Sequence, residues 1–166
     1  MTGSSVPAGS RAFRKVVASP PGKTAVAADV LIAVNDDMTL FVNGENIGSF
    51  TTTSKRYPVV MNPCLNIFAV LDTNHGQIEA WIAKITITFS DGTQTVVVSD
   101  ESWRTSGSGN IPTGWEEVGF DDSNWETSLV TTLAPIFSSM PVVPAVTPRV
   151  VGGCMGSPTS CPFCSP

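Results

Sequence analysis

The dipeptide Asn43-Gly44 constrains this chain more than any other feature. A type I′ reversal needs positive φ at both central positions, and Asn-Gly is a pair that tolerates it. The flanking residues are arranged to use such a turn. Asp29 to Val34, DVLIAV, is a strand-like apolar run that Asn35-Asp36-Asp37 breaks with short, turn-favouring side chains. Met38 to Val42 resumes with partial alternation, Met38, Leu40 and Val42 on one side, Thr39 and Phe41 on the other. Ile47 starts the return strand and Gly48 interrupts it. Two strands, a tight reversal and carboxylates at one end describe a β-sheet protein with polar loops.

The rest of the chain repeats this grammar. Arg11 to Ala18 reads as a short strand closed by Pro20-Pro21-Gly22, and Ser49 to Lys55 as an edge strand or loop. Val59 to Met61 is a brief apolar piece. Leu65 to Leu71, LNIFAVL, is apolar enough for the middle of a sheet, and residues 72–76 read as a turn. Trp81 to Phe89 alternates well, Ser90-Asp91-Gly92-Thr93 is a second hairpin turn, and Thr95 to Val98 returns. Ser102-Trp103-Arg104, a Gly/Ser loop over 106–110 and a short turn over 119–125 pinned by Phe120 and Trp125 follow. With no amphipathic helix in sight, many short strands punctuated by Asn-Gly and Asp-Gly predict an all-β sandwich. Residues 1–10 read as a flexible lead-in, 11–134 as the sandwich and 135–166 as an extended Pro/Cys-containing tail.

Composition narrows the function classes. Of 166 residues, 42% are hydrophobic and only 14% charged, so Ser, Thr, Asn and Gly must dominate the surface, which favours self-association. A net charge of -5 with scattered basic residues argues against nucleic-acid binding. No run of about 18 apolar residues indicates a membrane span. MTGSSVPAGS lacks the apolar stretch of a signal peptide, and there is no Asn-x-Ser/Thr sequon, so a cytoplasmic location stays open.

The order RAFRK, AADVLIAVNDDMTLFVNGENIG, CLNIFAV, SDGTQTVVVSDESWR and GWEEVGFDDSNW resembles the galactose-binding-domain-like jelly roll over residues 11–130. It looks most like the version in secreted, lectin-like fungal proteins. Similar modules accompany the catalytic domains of rhamnosidases and β-galactosidases. The resemblance implies a jelly-roll sandwich that binds glycans, sometimes with Ca²⁺, in an extracellular or cell-wall setting. Three features depart from the pattern. No Trp-containing strand precedes Arg11, Gly76-Gln77-Ile78-Glu79-Ala80-Trp81 replaces a Gly-Gly-Pro-Ala-Gly-like turn, and Tyr57-Pro58 stands where fungal versions often place a cysteine. The first leaves a sheet edge open and the second bears on the ligand loop.

Candidate site residues follow. Asp36 and Asp37 are adjacent carboxylates after a strand, suited to a hard cation such as Ca²⁺, with Asn35 or Asn74 as a further ligand. The matching loop of rhamnose-binding modules contributes to a calcium and sugar site. Asn74 and His75 share the opposing turn. Trp115, beside Gly114, is the aromatic best placed as a sugar platform, followed by Tyr57 and His75; Trp103 and Trp125 read as core, and Trp81 as either. Asp121-Asp122-Ser123 reads as a capped turn.

Catalysis finds little purchase. His75 is the only histidine and no Gly-x-Ser-x-Gly elbow accompanies it. Glu116 and Glu117, adjacent in one strand, would face opposite ways rather than flank a glycosidic bond. Cys64, Cys154, Cys161 and Cys164 allow three full pairings. A tail disulfide or one tying the tail to Cys64 competes with Cys64 as an inert buried thiol.

Two readings of function result. The first is a non-catalytic, calcium-assisted carbohydrate-binding module. The second is a structural protein forming oligomers or filaments, in which a neighbour's tail (PVVPAVTPRVV, residues 141–151) adds to an open sheet edge.

Overall fold

The computed structural model describes residues 7–76, 80–107, 109–130 and the backbone of 149–150. Eleven strands are present among them: β1 (Gly9–Ala18), β2 (Ala25–Val34), β3 (Asp37–Val42), β4 (Glu45–Thr51), β5 (Ser54–Val60), β6 (Leu65–Asn74), β7 (Trp81–Phe89), β8 (Gln94–Val98), β9 (Arg104–Thr105), β10 (Glu126–Thr127) and β11 (Arg149–Val150). They form two sheets, ordered β10-β9-β1-β6-β3-β4 and β11-β5-β2-β7-β8. Every pairing is antiparallel except β11 with β5. The expected β-sandwich is what forms.

The main core lies between the sheets. Met38, Leu40 and Val42 of β3 and Phe68 and Val70 of β6 meet Val30, Ile32 and Val34 of β2 and Ile85 and Ile87 of β7. These are the inward positions of the alternation read above. Asn43 at φ 52° and Gly44 at φ 85° make the two-residue turn, with Val42 opposite Glu45. Gly48 has a separate reason: a Cβ there would stand 2.7 Å from the Tyr57 hydroxyl, which is packed over that strand.

Several boundaries differ from expectation, among them the start of β2 at Ala25 rather than Asp29. β1 starts at Gly9, inside the expected lead-in, because Gly9 and Ser10 continue the pairing with Asn74 and Thr73. β6 runs to Asn74, so Asp72-Thr73-Asn74 is strand rather than turn; strands on both sides supply the partners that these turn-prone residues lack locally. β5 starts at Ser54, well before the apolar piece at Val59, because Ser54 to Pro58 pair with Ala33 to Asp29 of β2, a partnership that these mostly polar residues do not advertise.

A second, smaller core covers part of the outer face of the first sheet. The segment 111–125 folds over Ala12, Ile67 and Ala69 and buries Trp115 against them. Arg14 bolts it down from the buried side, donating to the Trp115 carbonyl at 2.8 Å and the Glu117 carbonyl at 2.7 Å. Its guanidinium also pairs with Asp122 at 2.5 Å and lies over Phe120. Asp121 caps its turn by accepting the Ser123 N–H at 2.9 Å.

The two ends of the sandwich are both polar. At one, Asn43, Asn62 and Asn66 form a buried amide network. Asn66 accepts from the Asn43 side chain at 2.9 Å and the Asn62 N–H at 2.8 Å, and donates to the Asn62 carbonyl at 2.9 Å. Asn43 in turn accepts the Ile67 N–H at 2.8 Å. The other end carries Asp36, Asp37 and His75. Apart from the backbone of Arg149 and Val150, the tail lies outside the described residues, including the disulfide candidates Cys154, Cys161 and Cys164. The β5 edge is paired with residues 149–150 of the same chain.

Candidate functional site

β3 leaves the Asp36-Asp37 break with its even-numbered apolar residues facing the core, so Asp37 and Thr39 face outward. Register then builds a row. Asp37 lies opposite Thr73 of β6 on one side and Thr51 of β4 on the other, and Thr73 lies opposite Ser10 of β1. Directly opposed residues share a face. Ser10, Thr73, Asp37 and Thr51 therefore line up across four strands, with Thr39 and Ser49 in the next row. Hydroxyl pairs stitch the rows, Ser10 to Thr73 at 2.8 Å and Thr39 to Ser49 at 2.8 Å. Leu71 and Ile111, packed against the second core, border this open half of the face.

His75 closes the row at its end. Its Nε2 meets Asp37 Oδ2 at 2.6 Å, its backbone N–H donates to Asp36 Oδ2 at 3.0 Å, and the Thr51 hydroxyl donates to Asp37 Oδ1. The Thr51 bond, then the His75 bond, hold the Asp37 carboxyl below its usual range. The Asp37 hydrogen bond and charge raise His75 above the ordinary histidine value. Both side chains face water, His75 at 62% and Asp37 at 44% exposure. Asn74 is the positioning residue behind them: buried, it accepts the Gly76 N–H at 3.1 Å and donates to the Gly76 carbonyl at 3.2 Å, which shapes the turn presenting His75.

The neighbouring β4–β5 turn is strained. Thr52 holds φ at 42°, a region that disfavours β-branched residues. Its N–H donates to the Asp36 carbonyl at 2.9 Å and its hydroxyl to the Asn35 carbonyl at 2.8 Å. Such strain persists where surrounding contacts over-determine it.

The structure brings Asp36, Asp37, Asn74 and His75 together and leaves the two aromatic platforms elsewhere. Trp115 is 6% exposed, set edge-on to Phe41 at 5.5 Å, and Tyr57 is 7% exposed in the main core. Neither ring has a face to offer a sugar, which corrects that expectation. A Gly-flanked tryptophan reads as exposed only until three strands and an arginine are folded around it. Trp81 settles against Phe13 and Trp103. Thr51, Thr73, Thr39, Ser49 and Ser10 were missed; their only signal is outward alternation of hydroxyls in strands whose register the sequence does not state.

The groups on this surface are hydrogen-bonding ones. Hydroxyls donate and accept, an ionised carboxylate accepts, and an imidazolium donates, which suits vicinal sugar hydroxyls. Thr51 and His75 both bind Asp37, so the hydroxyl–imidazole–carboxylate order of a nucleophilic triad is not formed. Asp36, Asp37 and Asn35 offer oxygen donors of the kind a calcium ion takes. Among the described residues no group of three or more His, Cys, Asp or Glu side chains converges on a metal position.

No family model matches the chain, and no curated protein sequence does. Solved structures do. The lectin of Pleurotus ostreatus in complex with GalNAc superposes with a TM-score of 0.75 at 32% identity, over 85% of this chain and 43% of that one. Its apo form gives a TM-score of 0.75 at 36% identity over 87% and 43%. An α-L-rhamnosidase of Streptomyces avermitilis, complexed with L-rhamnose, gives 0.63 at 24% identity over 75% of this chain and 13% of its own. This chain thus spans less than half the length of the lectin chains it matches.

Proposed function

We propose that this chain, a lectin-like β-sandwich of the galactose-binding-like type, is a non-catalytic glycan-binding domain whose binding surface is the Ser10–Thr73–Asp37–Thr51 row. The observation that carries the reading is likeness to a lectin above 30% identity, joined to a solvent-facing hydroxyl–carboxylate row at the expected loop end. Galactose-type sugars, GalNAc first among them, are the ligands to test, because that sugar accompanies the similar lectin. An extracellular or cell-wall setting goes with this proposal.

Calcium assistance is part of it. Asp36, Asp37 and Asn35 would hold the ion, which neutralises the carboxylates and binds sugar hydroxyls directly. Because Asp37 already binds His75, a cation and a protonated His75 compete for the same carboxylate. Calcium should therefore stabilise the fold by mass action, more strongly once His75 is neutral. A glycan array run with and without calcium is the test. Binding of galactosides that Asp37→Ala abolishes supports the proposal; silence across the array at high protein density overturns it.

A further inference from the structure

The open half of the first sheet's outer face has a definite shape. Its front row, from Ser10 to Thr51, crosses β1, β6, β3 and β4. Behind it on the same face stand Leu71, Thr39 and Ser49, opposite one another on β6, β3 and β4. One row further back the face is closed: Ala69 is buried, and its neighbour Phe41 lies edge-on to Trp115 of the covering segment. The uncovered strip is therefore four strands wide and two rows deep. Neighbouring strands lie about 4.8 Å apart, so the strip runs about 14 Å across the strands. Same-face residues of one strand are about 7 Å apart, so along the strands there is room for little more than one sugar ring.

We propose that the ligand of this strip is an oligosaccharide of about three galactose-type units, laid across the strands with the segment 111–125 as a wall along its side. This rests on the glycan-binding reading above and adds to it the length and direction of the chain.

The polar groups of the front row fall into two stations. At β3–β4, the Asp37 carboxylate accepts from the Thr51 hydroxyl and meets His75 Nε2 at 2.6 Å. At β1–β6, the Ser10 and Thr73 hydroxyls share a hydrogen bond of 2.8 Å. That bond uses one of the pair's two protons, which leaves one donor and several lone pairs for a sugar. The Asp37 station mainly accepts, and the Ser10 station does both. Their midpoints are two strand spacings apart, about 9.6 Å. A pyranose ring is about one spacing long, so a single sugar engages only part of the strip at a time. The first and third units of a chain reach both stations together. Leu71, half-buried and next to Thr73 on the same face of β6, offers the middle unit an apolar surface for its ring C–H groups.

Calorimetry of the full chain in calcium, with galactose and with β-1,4-linked galactobiose, galactotriose and galactotetraose, tests this. Affinity should rise about tenfold from galactose to galactotriose, the worth of one or two further hydrogen bonds, and by less than about twofold with the fourth unit. Ser10→Ala and Thr73→Val each remove a hydroxyl from the far station. Either should bring galactotriose to within about threefold of galactose. Equal affinity for the two sugars in the native protein overturns the proposal and leaves glycan binding standing. So does a galactotriose advantage that survives both substitutions, or a gain that keeps growing at the fourth unit. Silence toward all four sugars also overturns it; only silence across the glycan array as well removes the glycan-binding reading.

Discussion

The two ends of this sandwich solve the same problem in opposite ways. Both interrupt the alternation of β3 and β6 with polar residues. At the Asn43 end the groups are neutral amides, buried and bonded to one another and to the backbone. At the Asp37 end they are ionisable and open to water. A buried amide network contributes by leaving no donor or acceptor unmet, and has little to offer a ligand. An exposed carboxylate–imidazole pair contributes little to stability but presents charge and hydrogen-bonding capacity where a ligand can reach it. The polar end that fastens the fold and the polar end proposed to meet a ligand thus differ in exposure.

Substitutions can break the contrast. Asn66→Ala removes the hub of the amide network and orphans several buried groups, so we expect a loss of about 3 kcal/mol, or a melting temperature lower by about 6–12 °C, with sugar affinity unchanged. Gly48→Ala pushes a methyl group toward the Tyr57 hydroxyl and should cost about 1–3 kcal/mol in urea titrations. If either change abolished binding in protein that remained folded, the division of labour would fail.

Asp37→Asn should do the reverse, leaving the melting temperature nearly unmoved while weakening glycan binding at least tenfold by calorimetry. The pH dependence is smaller still and has a definite sign. His75 has a raised value when folded, so its contribution is complete below its ordinary value of 6.5 and fades as pH rises through the raised one. Asp37 has a lowered value, so its contribution is present above 3.8 and is lost as pH falls through the lowered one. The pair stabilises most between about pH 4 and 6.5. An NMR titration should place His75 above 6.5 in the native protein and return it toward that value in Asp37→Asn.

Much of the fold was legible because it is written in local terms. DVLIAV, LNIFAVL and WIAKITITF carry strand patterns, and Asn43-Gly44 and Asp91-Gly92 carry turns. The failures came where partners decide. Asp72 and Asn74 look like turn residues until β1 and β3 flank them, and Trp115 looks exposed until Arg14 anchors its loop. The loop carboxylates and His75 stood out as chemistry on short polar breaks. The hydroxyl row did not, since Ser10, Thr51 and Thr73 are 22 to 63 residues apart in sequence and meet only through strand register.

The central claim is where the sugar sits, and a GalNAc titration followed by ¹H–¹⁵N NMR in the presence of calcium tests it most directly. The amides of Ser10, Asp36, Asp37, Thr51, Thr73 and His75 should shift together along one binding curve while those of Asn43, Asn62 and Asn66 stay still. Shifts confined to the amide end, or to the covering segment 111–125, would contradict the account.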